Sequence, residues 1–253
     1  MRQRTIIGLC LTAGWFMPIH QAHAQPTPQV VAVLDALERA GDKISDLQTD
    51  LRFETFNTIL EDRITKTGEL LYKKQDPNAL FLVRFDRLSQ GGVTNENREW
   101  HFFDGNWYTE AREMTRQVIR REIVRPGEKI NPFELGKGPF PLPFGQKKSE
   151  MLQRFDIALL PTSGNDPPGS THLQCVPKAG EELADKYVAL HLFVDEKTDL
   201  PAKIIAEQTD DNVITVWFDN LRINPGLPGS VFKLPPEAAD WDTETESLPP
   251  DPE

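Results

Sequence analysis

The chain has 253 residues, 39 of them acidic and 28 basic, for a formal charge of −11. A surplus of that sign is repelled by nucleic-acid backbones and anionic bilayer surfaces, so neither is expected as a partner. Of the two cysteines, Cys10 belongs to a leader segment and only Cys175 lies beyond it, so no internal disulfide can form and packing must hold the fold.

Arg2 and Arg4 precede an apolar run from Ile6 to Phe16, and Ala22-His23-Ala24 supplies a small-x-small site before Gln25-Pro26. This predicts a secretory signal peptide over residues 1–24, cleaved after Ala24. The run falls short of the ~20 apolar residues that span a bilayer. Cys10 sits too early in it for a lipid-attachment site. Loss of two arginines and no acid takes the charge from −11 to roughly −13. The remainder is long enough for one sizeable core, with no linker or repeat to divide it. A single domain is expected over residues 25–240.

Thr27-Pro28 opens VVAVLDALERAG, which predicts a helix with Thr27 as N-cap, Pro28 in the first turn and Gly41 just past the end. Val30, Val33, Leu34 and Leu37 share one face, which must rest on something apolar. Period-two alternation then runs through residues 47–124, as in LQTDLRFET, KTGELLYKK, NALFLVRFD, REWHFFDGNWYTE and RQVIRREIV. Gln75-Asp76-Pro77-Asn78 and Asp104-Gly105-Asn106 carry turn chemistry. A one-residue slip in register would reverse which side chains face inward.

Residues 131–160 interrupt this pattern. Phe133, Leu135, Phe140, Leu142, Phe144, Met151, Leu152, Phe155 and Leu160 make the segment apolar. Gly136, Gly138, Pro139, Pro141, Pro143 and Gly145 limit it to short helices, and it is read as a lid over an apolar sheet face. Strands resume at THLQCVPK, KYVALHLFVD, PAKIIAEQ, NVITVWFDNLRIN and SVFKLPP, and about ten antiparallel strands would curl rather than stay flat. Residues 241–253, acidic and proline-rich, are expected to be disordered.

Catalytic signatures are wanting. His172 and Cys175, three apart on a strand, point to opposite faces and cannot share a metal. Ser163 and Ser170 lack a nucleophile elbow, and Gly136-Lys137-Gly138 lacks the spacing of a phosphate loop. Cys175 reads as a small buried hydrophobe, and His101 and His191 as exposed or locally hydrogen-bonded strand residues. Neither an enzyme, a metal site nor a cofactor is expected.

The order of pieces is informative. Gly68-Glu69-Leu70 leads into Tyr72-Lys73-Lys74, followed by Pro77-Asn78, Asp104-Gly105 with Trp107-Tyr108, and Gln117-Val118. The second block has Leu173 to Pro177-Lys178, Leu200-Pro201, Glu207-Gln208 and Phe232-Lys233-Leu234-Pro235-Pro236. Together these span most of residues 28–236, and the chain resembles the periplasmic outer-membrane lipoprotein carrier family, LolA and its relatives. The resemblance implies an α+β, mainly antiparallel fold: an unclosed curved barrel of ten to eleven strands covered by short lid helices. It also implies a function, carrying lipoprotein acyl chains through the periplasm from an inner-membrane exporting transporter to an outer-membrane acceptor. The alternative is an envelope sensor or regulator of the same fold that binds a membrane partner, expected to carry an additional C-terminal domain. A monomer is expected.

On this reading the apolar cavity is lined by Leu51, Phe53, Leu70, Tyr72, Phe81, Val83, Phe85, Trp100, Phe102, Trp107, Leu190 and Leu192. Phe133, Phe140, Leu142 and Phe144 would close over it. Family carriers latch the lid with an Arg before the Pro-Asn; here Lys74 stands nearest, with Gln75-Asp76 inserted, and a lysine offers a point charge in place of a planar fork. Composition alone would favour a filled core.

Overall fold

The computed structural model describes residues 26–76, 78–128 and 145–249. The first helix, α1, runs Pro28–Asp42, and the Thr27 hydroxyl accepts the Val30 N–H at its start. Val30, Leu34 and Leu37 are its buried stripe. Gly41 lies inside the last turn and not beyond it. A Cβ there would come within 3.1 Å of the Gly145 backbone, so the glycine lets a second segment cross the helix.

Six strands follow as a meander: β1 (Asp46–Asn57), β2 (Asp62–Lys73), β3 (Leu80–Gln90), β4 (Val93–Phe103), β5 (Trp107–Arg112) and β6 (Gln117–Glu122). A short helix, α2 (Lys148–Arg154), leads directly into β7 (Phe155–Leu160), and β8 (Ser170–Pro177), β9 (Tyr187–Asp195), β10 (Pro201–Gln208), β11 (Asn212–Ile223) and β12 (Asp242–Glu246) complete the chain.

All twelve strands form one sheet in the order β12-β6-β5-β4-β3-β2-β1-β11-β10-β9-β8-β7. Every neighbour is antiparallel except β12 and β6. The two meanders meet at the β1–β11 seam, and β12 and β7 end the sheet without pairing with each other. The result is an open, curved half-barrel with helices on one side.

Four expectations change. The described residues form twelve strands, against about ten to eleven expected. Residues 155–160 are not lid but strand, because Phe155, Ile157 and Leu159 alternate toward the core while β8 supplies a complete antiparallel partner. SVFKLPP holds no strand; Gly229–Val231 and Pro236–Asp240 are 3-10 turns, as four prolines in residues 225–236 remove ladder donors. Part of the 241–253 tail is ordered: Asp242–Glu246 pairs along β6, and Glu246 takes an ion pair from Arg121 at 2.9 Å.

Both faces of the sheet bury apolar side chains. The concave core joins Val30 and Leu34 of α1 and Met151 of α2 to Leu47, Leu51, Leu70, Val83, Phe85, Leu173, Leu190, Leu192, Ile204 and Val216. On the convex face the C-terminal segment folds back, and Phe232 and Ala238 cover Leu71, Leu82, Trp100, Ala111 and Val118.

Candidate ligand-binding face

Alternation along each strand sends one set of residues to the concave side. Leu51, Leu70, Phe81, Val83, Phe85, Leu190 and Leu192 are buried there in one cluster, with Phe53 and Tyr72 half-buried against it. Phe53 and Phe85 meet edge to face at 6.0 Å, and Phe81 stacks with Phe103 at 5.6 Å. Burial pushes the Tyr72 hydroxyl up to about 12, so it remains a neutral polar tip on an apolar body.

Three expected lining residues belong elsewhere. Trp100 and Phe102 point to the convex face, where both join the second core, and Trp107 shares their side of the sheet with Arg120 lying over its ring at 4.9 Å. Register decides this: β4 sets Phe103 opposite Phe81 and His101 opposite Val83, leaving Phe102 opposite Leu82 and Trp100 opposite Arg84. Where both faces are covered, hydrophobicity cannot choose between them. Phe133, Phe140, Leu142 and Phe144 lie outside the described residues. Lys74 is exposed at the end of β2, and its backbone N–H bonds the Ser45 carbonyl at 2.7 Å.

Missing from the sequence reading was a polar group on this face. Lys66 pairs with Glu99, Asn97 donates to the same carboxylate at 2.9 Å, and Nε2 of His101 stands 3.8 Å from it. Nδ1 of His101 lies 2.7 Å from the Tyr108 hydroxyl. Burial alone would raise the Glu99 carboxyl, but the adjoining His101 imidazole and the Lys66 ammonium outweigh it and hold the group at about 2. Burial drives the Tyr108 hydroxyl upward. The available signal was Glu99 and His101 two apart, since residues at that spacing share a face.

The cover is held by charge. Lys147 bonds Asp42 at 2.9 Å and Glu38 at 3.3 Å, Lys148 pairs with Asp35, and the Lys148 N–H donates to Glu38 at 3.0 Å. Met151 enters the concave core and Leu152 packs against it, while partly exposed ion pairs tie α2 to α1.

A cleft of about 530 Å³ lies on the convex face between β2–β4 and residues 227–236. Its arginines are matched by acids: Arg84 by Glu69 and Asp86, each at 3.2 Å, and Arg98 by Glu113 at 3.3 Å. No group of three potential metal ligands occurs among the described residues. Cys175 is fully buried in the concave core, where burial pushes its thiol up to about 12.

No family model and no curated protein matches the chain. Solved structures do resemble it. An uncharacterized conserved protein from Thermus thermophilus matches at 12% identity and a TM-score of 0.50, covering 86% of this chain and 99% of that one. A LolA superfamily protein from Nitrosomonas europaea matches at 11% identity and 0.39, covering 80% and 96%. MucB matches at 17% identity and 0.45, covering 83% and 64%. With an open curved sheet bearing helices across its concave side, the chain shares the overall fold of the Thermus thermophilus protein.

Proposed function

We propose that this protein is a periplasmic carrier that shelters acyl chains, of lipoproteins or a related lipid, against the concave face and releases them toward the outer membrane. The observation that carries the reading is the pairing of an aromatic concave face, on which Phe53 and Tyr72 remain half-buried, with a short covering helix, α2, joined to α1 by partly exposed ion pairs. Exposed ion pairs contribute about 0–1 kcal/mol each, so such a cover detaches readily.

The energetics suit a carrier. Burying hydrocarbon gains roughly 0.8 kcal/mol per CH₂, so one sixteen-carbon chain corresponds to about 12 kcal/mol before association costs. Three such chains would total about 36 kcal/mol, beyond the ~18–21 kcal/mol at which affinities saturate. Deliverable cargo must be incompletely buried, or compete with a cover for the same surface. Here Met151 of α2 occupies part of the face that a ligand would use.

Displacement of a fluorescent fatty acid tests the reading. Micromolar binding is expected, with loss in Phe53→Asp, which sets a charge on the face. Absence of binding at micromolar probe, together with no lipid extracted from protein purified out of its native envelope, would sink the proposal.

A further inference from the structure

The convex side of the second meander carries a row of titratable groups with no part in the concave face. His172 on β8 and His191 on β9 meet there, with Nε2 of His172 at 2.9 Å from Nδ1 of His191. At the outer ends, Nδ1 of His172 faces an Asp166 oxygen at 3.8 Å, and Nε2 of His191 faces a Glu207 oxygen at 3.4 Å. Each imidazole is 12% exposed. Asp166 sits in the β7–β8 loop, its carboxylate accepting the Ser163 N–H and hydroxyl, both at 2.8 Å. Beneath the row, His172 stacks on Phe193 at 4.1 Å, and the Lys203 ammonium stands 4.8 Å over the same ring. Lys203, with Arg52 and Glu54 beyond it, completes the charged groups facing this surface.

Hydrogen bonding limits how many protons the row can hold. A ring-to-ring bond needs one N–H and one lone pair. The two outer nitrogens face carboxylates, at 3.8 Å and 3.4 Å, so a proton on either is favoured by charge. With the ring-to-ring bond kept, the four nitrogens hold at most three protons, one more than two neutral rings possess. A fourth proton would set two imidazolium N–H groups head to head across 2.9 Å.

The geometry points to a proton-operated fastener: the Asp166–His172–His191–Glu207 row accepts one proton shared between its rings and parts on the second, freeing the 161–169 loop and the β7–β8 hairpin. Burial, and then the adjoining His191, hold His172 below the ordinary imidazole range. Hydrogen bonds from Ser163 hold Asp166 below the usual carboxylate range, so its charge persists while the rings titrate. The hairpin is continuous with the cover. Phe155 of β7 follows Arg154 of α2 directly, and Lys178 after β8 bonds the Arg154 carbonyl through its N–H at 2.9 Å and the Leu152 carbonyl through its ammonium at 2.6 Å. Parting of the row frees the loop end of this hairpin, whose other end carries the base of α2. That this speeds ligand release rests on the carrier reading; the opening itself does not.

The test uses the full chain. Imidazole ¹H–¹⁵N spectra from about pH 8 to about pH 4 are expected to give two coupled steps. The second should coincide with faster amide exchange over residues 160–175, corrected for the intrinsic rate. One extra proton bound by the open form raises opening about tenfold per pH unit. In H172Q/H191Q this acid-driven rise is expected to vanish while exchange in β2–β4 stays as in the parent. Independent single-site titration of the rings in the unaltered protein, or an undiminished acid rise in the double variant, overturns the fastener. Opening of the hairpin with no change in fatty-acid release supports the fastener and counts against the carrier reading alone.

Discussion

Glu99 is a carboxylate that an apolar face should not tolerate, and its partners explain its survival. Its folded value of about 2 lies below the ordinary 4.5, so it contributes stability that is complete above 4.5 and lost as pH falls through about 2. The ceiling on that contribution is about 3 kcal/mol. Urea denaturation should show Glu99→Gln destabilised at pH 7, with parent and variant converging as pH drops through this window. Gly68 offers a steric counterpart. A Cβ there would stand 1.8 Å from the Arg84 carbonyl oxygen, at the irregularity where β2 pairs with β3. Gly68→Ala should cost about 2 kcal/mol or more, read as a lowered denaturation midpoint at constant slope. The sequence displayed both residues plainly, but not their reasons: one depends on partners from other strands, the other on a backbone crossing.

Elements with strong period-two alternation were legible, from LQTDLRFET as β1 to NVITVWFDNLRIN as β11. Those that depend on a partner were not. β12 is five exposed residues, Asp242–Glu246, and exists because β6 offers an open ladder and Arg121 a counter-charge. SVFKLPP, residues 230–236, likewise read as a strand and residues 241–253 as a tail, whereas Trp241 lies 6.0 Å from Trp100 and pins the segment before it to the convex face. Trp241→Ala should cost about 1–3 kcal/mol and loosen the backbone around the exposed Lys233 so that trypsin cuts there faster, so limited proteolysis followed by mass spectrometry is the check. The hold of α2 on α1 makes a different prediction. Because Lys147 and Lys148 bind through partly exposed charge, raising salt from about 0.05 M to about 0.5 M should speed release of a bound fluorescent fatty acid by about two- to threefold. Lys147→Ala should mimic the effect at low salt.

At the scale of the molecule, the open half-barrel followed from the resemblance and from two strand blocks around a covering segment. The expected lining residues of β1–β3 and β9 lie on the concave side. Trp100 and Phe102 do not, because a second core made both sides of β4 apolar and removed the contrast on which alternation depends. The seam also has a kinetic meaning. β1 and β11 are neighbours in the sheet, yet Thr49 on β1 bonds the Asp219 carbonyl 170 residues further along. Every meander contact can form locally, but the two wings cannot be joined until the last long strand has been made and brought back, a slow closure. A chain still emerging from a ribosome is thereby kept from locking prematurely, which leaves it threadable for as long as its final quarter is missing.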